Sequence, residues 1–151
     1  TRLAMAQLGS DAVVLRAGLR DGLVAAEEGA LSALLTRLLQ PSDVVFTTWS
    51  LDGHPDHEAT ARATHAAAAA TGARVFEVPV WGWHRVRPAE AGMPWTRALC
   101  IGLARPMVQR KCAALRMFRT QWEHDASCRG TPVLQPAMLA RAQRGFELVF
   151  G

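Results

Sequence analysis

Cysteine is scarce and poorly spaced for bonding: Cys100, Cys112 and Cys128 are odd in number and include no Cys-x-x-Cys pair. Neither a disulfide framework nor a thiolate metal site is expected, and reduced thiols follow. Cys112, beside Ala113, Ala114 and Leu115, reads as a small buried hydrophobe on a helix. No apolar run approaches the ~20 residues of a membrane span, and the first residues carry neither a basic leader nor a small-residue cleavage pattern. A cytoplasmic location is the default expectation. There is no internal repeat and no linker, so residues 1–151 are expected to form a single domain. Charged residues make up only 20% against 50% hydrophobic, which excludes the disordered class. A chain of this length buries roughly 70% of its unfolded surface, enough for one core.

A concentrated basic patch is also missing. The net charge is +4 and the sequence pI about 9.8, yet Arg16, Arg20, Arg37, Arg62 and Arg74 are scattered. The denser stretch of Arg105, Arg110, Lys111, Arg116 and Arg119 spreads around a helix instead of forming a stripe. With no RNA- or DNA-binding motif beside it, nucleic acid is not an expected partner. A solvated helix face explains the arginines, and an anionic group on a small substrate is a second use for them, because guanidinium grips phosphate bidentately.

What the chain does have is an alternation of helical and extended patterns. Helices are expected over Arg2–Leu8, over Leu31–Leu39 with Leu31, Leu34, Leu35 and Leu38 on one face, and from Asp56 through the alanine tract Ala66–Ala70 to a stop at Gly72. Pro106–Gln121, with proline in its first turn, and Pro136–Gln143 complete the helical set. Strands are expected over Ala12–Leu15, Val44–Thr47, Val75–Val80 and Ala98–Gly102, with an extended end at Phe146–Phe150. Such alternation implies an α/β fold with a mostly parallel sheet flanked by helices.

The segment Gly53-His54-Pro55-Asp56-His57-Glu58 packs two imidazoles and a carboxylate into four residues at the carboxyl end of a strand and the start of a helix. Ligands bind along that rim in open α/β sheets. Neutral imidazole is the commonest side-chain metal ligand, and a neighbouring aspartate fixes a histidine tautomer. The plain alternative is a polar strand-to-helix turn in which Asp56 caps the helix and the histidines are solvated. Glu58, in the first helical turn, is assigned to the helix dipole and not to catalysis.

Thr48-Trp49-Ser50-Leu51-Asp52-Gly53-His54-Pro55-Asp56-His57 resembles the second signature of the LmbE/PIG-L superfamily of zinc-dependent N-deacetylases, which act on acetamido groups of sugar conjugates. Val78-Pro79-Val80-Trp81-Gly82-Trp83-His84 is similar to a Pro-hydrophobic-Trp-x-Trp-His run of one bacterial branch. The stretch from Lys111 to Gln121 is similar to that branch's Lys-x-x-Ala-Leu…His-x-Ser-Gln helix, with Phe118 and Thr120 in place of its histidine and serine. Gly18-Leu19-Arg20-Asp21-Gly22 matches the substrate-side loop. The family's first signature, His-Pro-Asp-Asp-Glu, has no counterpart here, so the resemblance implies a three-layer Rossmann-like domain whose N-terminal strand is missing and whose remaining metal ligands lie upstream of Thr1.

The resemblance further implies that His57 is a zinc ligand, that His54 stands beside the scissile amide as an electrophilic or acid group, and that Asp56 orients His54. These roles imply an amide hydrolase acting on an N-acylated amino-sugar conjugate, inactive without the upstream ligands; a carbohydrate-binding remnant without metal is the other reading. Asp21 and Arg20 are substrate-contact candidates, Asp21 otherwise being a turn aspartate bonding its own backbone. Trp49, Trp81 and Trp83 all fall where an indole lines a pocket rim and stacks on a sugar ring. Core packing is the alternative for Trp81 and Trp122, and Trp49 and Trp83 are retained as rim candidates. His84 either touches substrate or braces its loop. Homo-oligomerisation is left open.

Overall fold

The computed structural model describes residues 1–86, 92–122, 132, 134 and 136–151. Its helices are α1 (Arg2–Leu8), α2 (Glu28–Leu38), α3 (Pro55–Thr71), α4 (Gly82–Arg85), α5 (Arg105–Arg116), α6 (Arg119–Trp122) and α7 (Pro136–Ala142). Its strands are β1 (Val44–Thr48), β2 (Arg74–Val78), β3 (Ala98–Gly102) and β4 (Phe146–Phe150), hydrogen-bonded in the order β1-β2-β4-β3. By its contacts the chain divides into two compact units, Arg16–Cys100 with Leu148–Gly151, and Thr1–Leu15 with Ile101–Glu147.

The first of these units is built on a β1-α3-β2 crossover. β1 and β2 run parallel, with Phe46 opposite Phe76 and Thr48 opposite Val78. Helix α3 can lie close to both strands because its inner face is made of small side chains: Ala59, Ala61, Ala63, Ala67 and Ala68 are buried. The alanine tract therefore serves as a packing surface as well as a helix former. Pro55 opens α3 at a position where its missing N–H costs nothing, and Gly72 closes it by donating to the Ala68 carbonyl. Helix α2 packs along the outside of α3. On the other side, Trp49, Met93 and Phe150 form a core with Trp83, Val86, Ala98 and Leu148 against it.

In the second unit α1 packs on α5, and α5 contacts α7. Lys111 of α5 reaches Glu147 at 2.7 Å, and half-buried Cys112 points at the Ala142 carbonyl, 3.6 Å away. Cys100 and Cys112 are free thiols, and Cys128 lies outside the described residues. No helix among the described residues is long and apolar enough to cross a membrane.

Four expectations are corrected. The sheet is mixed, not mostly parallel: β4, coming from the chain end, pairs antiparallel with β2, Glu77 opposite Phe150. Ala12–Leu15 forms no strand: Val13, Val14 and Leu15 are exposed, and among the described residues the sheet is made of β1, β2, β4 and β3 alone. The β2 strand ends at Val78 because the amides of Val80, Trp81 and Gly82 turn onto the Asp52 carboxylate and leave the ladder. The expected helix to Gln121 breaks at Met117, whose N–H and that of Phe118 tighten onto Ala114 and Leu115, so α5 and α6 are separate.

Candidate functional site

The turn from β1 into α3 carries the site. Leaving the strand, the chain passes Trp49 into the core and turns at Gly53, whose φ of +79° is left-handed. A side chain at position 53 would also run into the Arg85 guanidinium, which lies over this turn and donates to the Leu51 carbonyl at 3.0 Å. Glycine is thus needed for its left-handed conformation, while the flexible end of the Arg85 side chain can swing clear of a Cβ. Glu58 reaches back to the Gly53 amide at 2.8 Å, a capping contact that suits its place in the first turn.

Asp52 is the hub. It is fully buried. Its Oδ1 accepts from the amides of Val80 and Gly82, and its Oδ2 from the amide of Trp81, each at 2.8 Å. The Nδ1 of His57 meets the same Oδ2 at 2.6 Å. Burial pushes this carboxyl up, but the hydrogen bonds from His57 and from the amides of Gly82, Trp81 and Val80 outweigh it and hold the group below its ordinary value. Asp52 is an acceptor here, so His57 donates from Nδ1, and the neutral ring carries its lone pair on Nε2.

His54 has the opposite arrangement. It is the N-cap of α3, and its Nδ1 accepts from the Asp56 amide at 3.3 Å. A backbone N–H can only donate, so neutral His54 carries its proton on Nε2. The two rings lie 4.6 Å apart, centroid to centroid. One turn of chain therefore presents an imidazole with a free lone pair beside one with a free N–H.

Asp56 does not orient the His54 ring with its carboxylate. That carboxylate is buried and accepts from the amides of Gly22 and Val24, at 2.6 and 3.1 Å. Its effect is to tie the loop bearing Arg20 and Asp21 to the first turn of α3, while both of those side chains stay exposed.

The tryptophans exchange expected places. Trp49 is 2% exposed and meets Phe150 edge-on at 5.4 Å, so it is core and not rim. Gly82 lets it pack so closely, since a Cβ there would stand 2.9 Å from the Trp49 ring. Trp81 is 37% exposed and lies between His54, at 5.6 Å, and His84, at 5.2 Å. Trp83 is half-buried against the core, 6.5 Å from Trp95. The Trp122 side chain falls outside the described residues. His84 is exposed on α4, beside Trp81.

A third buried carboxylate braces the same turn. Glu77 of β2 accepts from the Ser50 amide at 3.0 Å and pairs with His65 and Arg97, each at 3.2 Å. Burial pushes its carboxyl up, while the Ser50 and His65 hydrogen bonds bring it below its ordinary value.

Reading the residues alone passed over both Asp52 and Glu77. The available signal was an acidic residue in apolar company: Asp52 follows Leu51 in the turn after β1, and Glu77 lies inside Val75-Phe76-Glu77-Val78. Such residues are almost never fully buried unless paired.

A neutral imidazole whose other nitrogen donates to a carboxylate is the usual arrangement of a metal-ligating histidine, so His57 fits that donor role. Among the described residues no group of three or more His, Cys, Asp or Glu side chains comes together to hold an ion. Protein-family models, curated proteins and solved structures provide no match to the chain.

Proposed function

We propose that the chain is the larger, carboxyl-terminal part of a zinc-dependent N-deacylase of the LmbE/PIG-L type, acting on an N-acylated amino-sugar conjugate in the cytoplasm. The observation that carries this reading is the pair of opposed tautomers: His57 braced by Asp52, His54 set by the Asp56 amide. Hydrolysis of an amide needs a Lewis base for the metal and a hydrogen-bond donor for the carbonyl oxygen, close together but distinct. The Nε2 of His57 is the first and the Nε2–H of His54 the second.

On this reading zinc is held by His57 together with ligands preceding Thr1, and it supplies polarisation of the amide and activation of water at neutral pH. The chain's own residues do the rest. His54 donates from Nε2 to the charge developing on the acyl oxygen or to the departing amine. Asp56 acts on the substrate side by holding the loop of Arg20 and Asp21, whose exposed polar groups face solvent ready for sugar hydroxyls or an anionic substituent. Trp81 and His84 offer a ring surface next to His54, in the place first expected of Trp49 and Trp83. The three-layer Rossmann-like arrangement belongs to the same proposal.

The test is hydrolysis of an N-acetylglucosamine conjugate by the complete protein. Turnover is expected, lost on chelation and restored by zinc, with His54→Ala lowering kcat by about 10²–10³-fold, the cost of removing one oxyanion donor. Saturable binding of the conjugate without any hydrolysis would instead favour a carbohydrate-binding remnant.

A further inference from the structure

We infer that Asp52 is a positioning residue that fixes His57 and the 80–82 turn with a single carboxylate, so that the imidazole and the Trp81 ring surface are set in register by one group. The inference deepens the deacylase reading and rests on it for the role of His57, but its geometry stands independently. Asp52 is fully buried and has four hydrogen-bond donors on two oxygens. Three of them are backbone amides from consecutive non-proline positions past the end of β2, and the fourth is the His57 ring. Oδ2 is shared between His57 Nδ1 and the Trp81 amide, so movement of either shifts the oxygen on which the other depends.

Three surroundings tighten this arrangement. Thr48 Oγ1 donates to the His57 carbonyl at 2.7 Å, holding the backbone under the ring. Gly82 stands against Trp49, which prevents the turn from sinking further toward the core. The Trp81 ring then lies 5.6 Å from His54, which places both histidines and the indole around the same carboxylate-anchored turn. With every donor aimed at it, Asp52 has acceptor sites to offer and no place for a donor. A donor in place of either oxygen would face two others.

Asp52→Asn tests this directly, because the side chain keeps its shape while one oxygen becomes an NH₂ donor. The measurements are long-range proton–nitrogen NMR of the histidine rings in the metal-free complete protein, amide hydrogen exchange at positions 80–82, and zinc affinity by competition with a chelator. In the unsubstituted protein His57 is expected as the Nδ1–H tautomer, with slow exchange at Val80, Trp81 and Gly82. In Asp52→Asn the expected results are a switch to Nε2–H, faster exchange at the three amides, and zinc affinity lower by about 10–100-fold.

An Nε2–H tautomer in the unsubstituted protein overturns the inference without any variant, so a variant that failed to fold would not protect it. An Asn variant with unchanged tautomer and unchanged exchange overturns it as well. If the unsubstituted protein has the expected tautomer and the Asn variant switches it, the positioning role stands even where neither protein binds zinc, and it is then the deacylase reading that fails.

Discussion

At the residue scale, side-chain type singles out one turn of chain but not the partners that each side chain takes within it. Two imidazoles three apart are weak evidence alone, and it is the placement of His54 and His57 at a strand-to-helix junction that singles them out. The family resemblance makes Asp56 the companion of His54, yet its carboxylate turns to the amides of Gly22 and Val24. Asp52, five residues before His57, does the orienting instead. The tryptophans make the same point: indoles at 49, 81 and 83 are chemically identical, and their places in the turns after β1 and β2 decide that Trp49 enters the core while Trp81 stays partly exposed. Trp49→Ala is therefore expected to cost about 3–5 kcal/mol of stability, whereas Trp81→Ala stays within about 0.5 kcal/mol. Urea unfolding of the two variants side by side measures the difference, and a larger loss for Trp81 than for Trp49 would reverse the assignment.

At the scale of elements, ends marked by local chemistry were legible. Pro55 and Gly72 bound α3, and β4 falls where aromatic and β-branched residues cluster. The misses lie where an element depends on distant partners. Val13 and Val14 have the composition of a strand but no strand beside them, and β2 stops early because Asp52, more than twenty residues back, captures the next three amides. The antiparallel β2–β4 pair likewise joins segments about seventy residues apart, beyond the reach of any local pattern.

Strand β2 also carries a pH dependence. The Glu77 carboxyl, ordinarily near 4.5, titrates lower in the folded chain, so the unfolded chain takes up its proton first as the pH falls. The stabilisation from Glu77 is therefore complete above about pH 4.5 and is lost as the pH drops through the lower folded value. Glu77→Gln is expected to be less stable than the parent at pH 7, with a shallower decline in acid. Denaturation midpoints between pH 3 and pH 7 test this, and parallel profiles for the two proteins would contradict it.

For the whole molecule, the α/β class was legible from the alternation of patterns, while the mixed sheet was not, since strand order is decided by where the last strand inserts. The functional account reduces to a division of labour between two rings on one turn: His57 offers a lone pair and His54 a proton. The most direct test is the zinc content of the complete protein and of His57→Ala and His54→Ala, measured by elemental analysis on folded samples. The account predicts a full equivalent in the unsubstituted protein, a marked loss in His57→Ala and near-complete retention in His54→Ala. Equal zinc retention by the two variants, or no zinc in the unsubstituted protein, would contradict it.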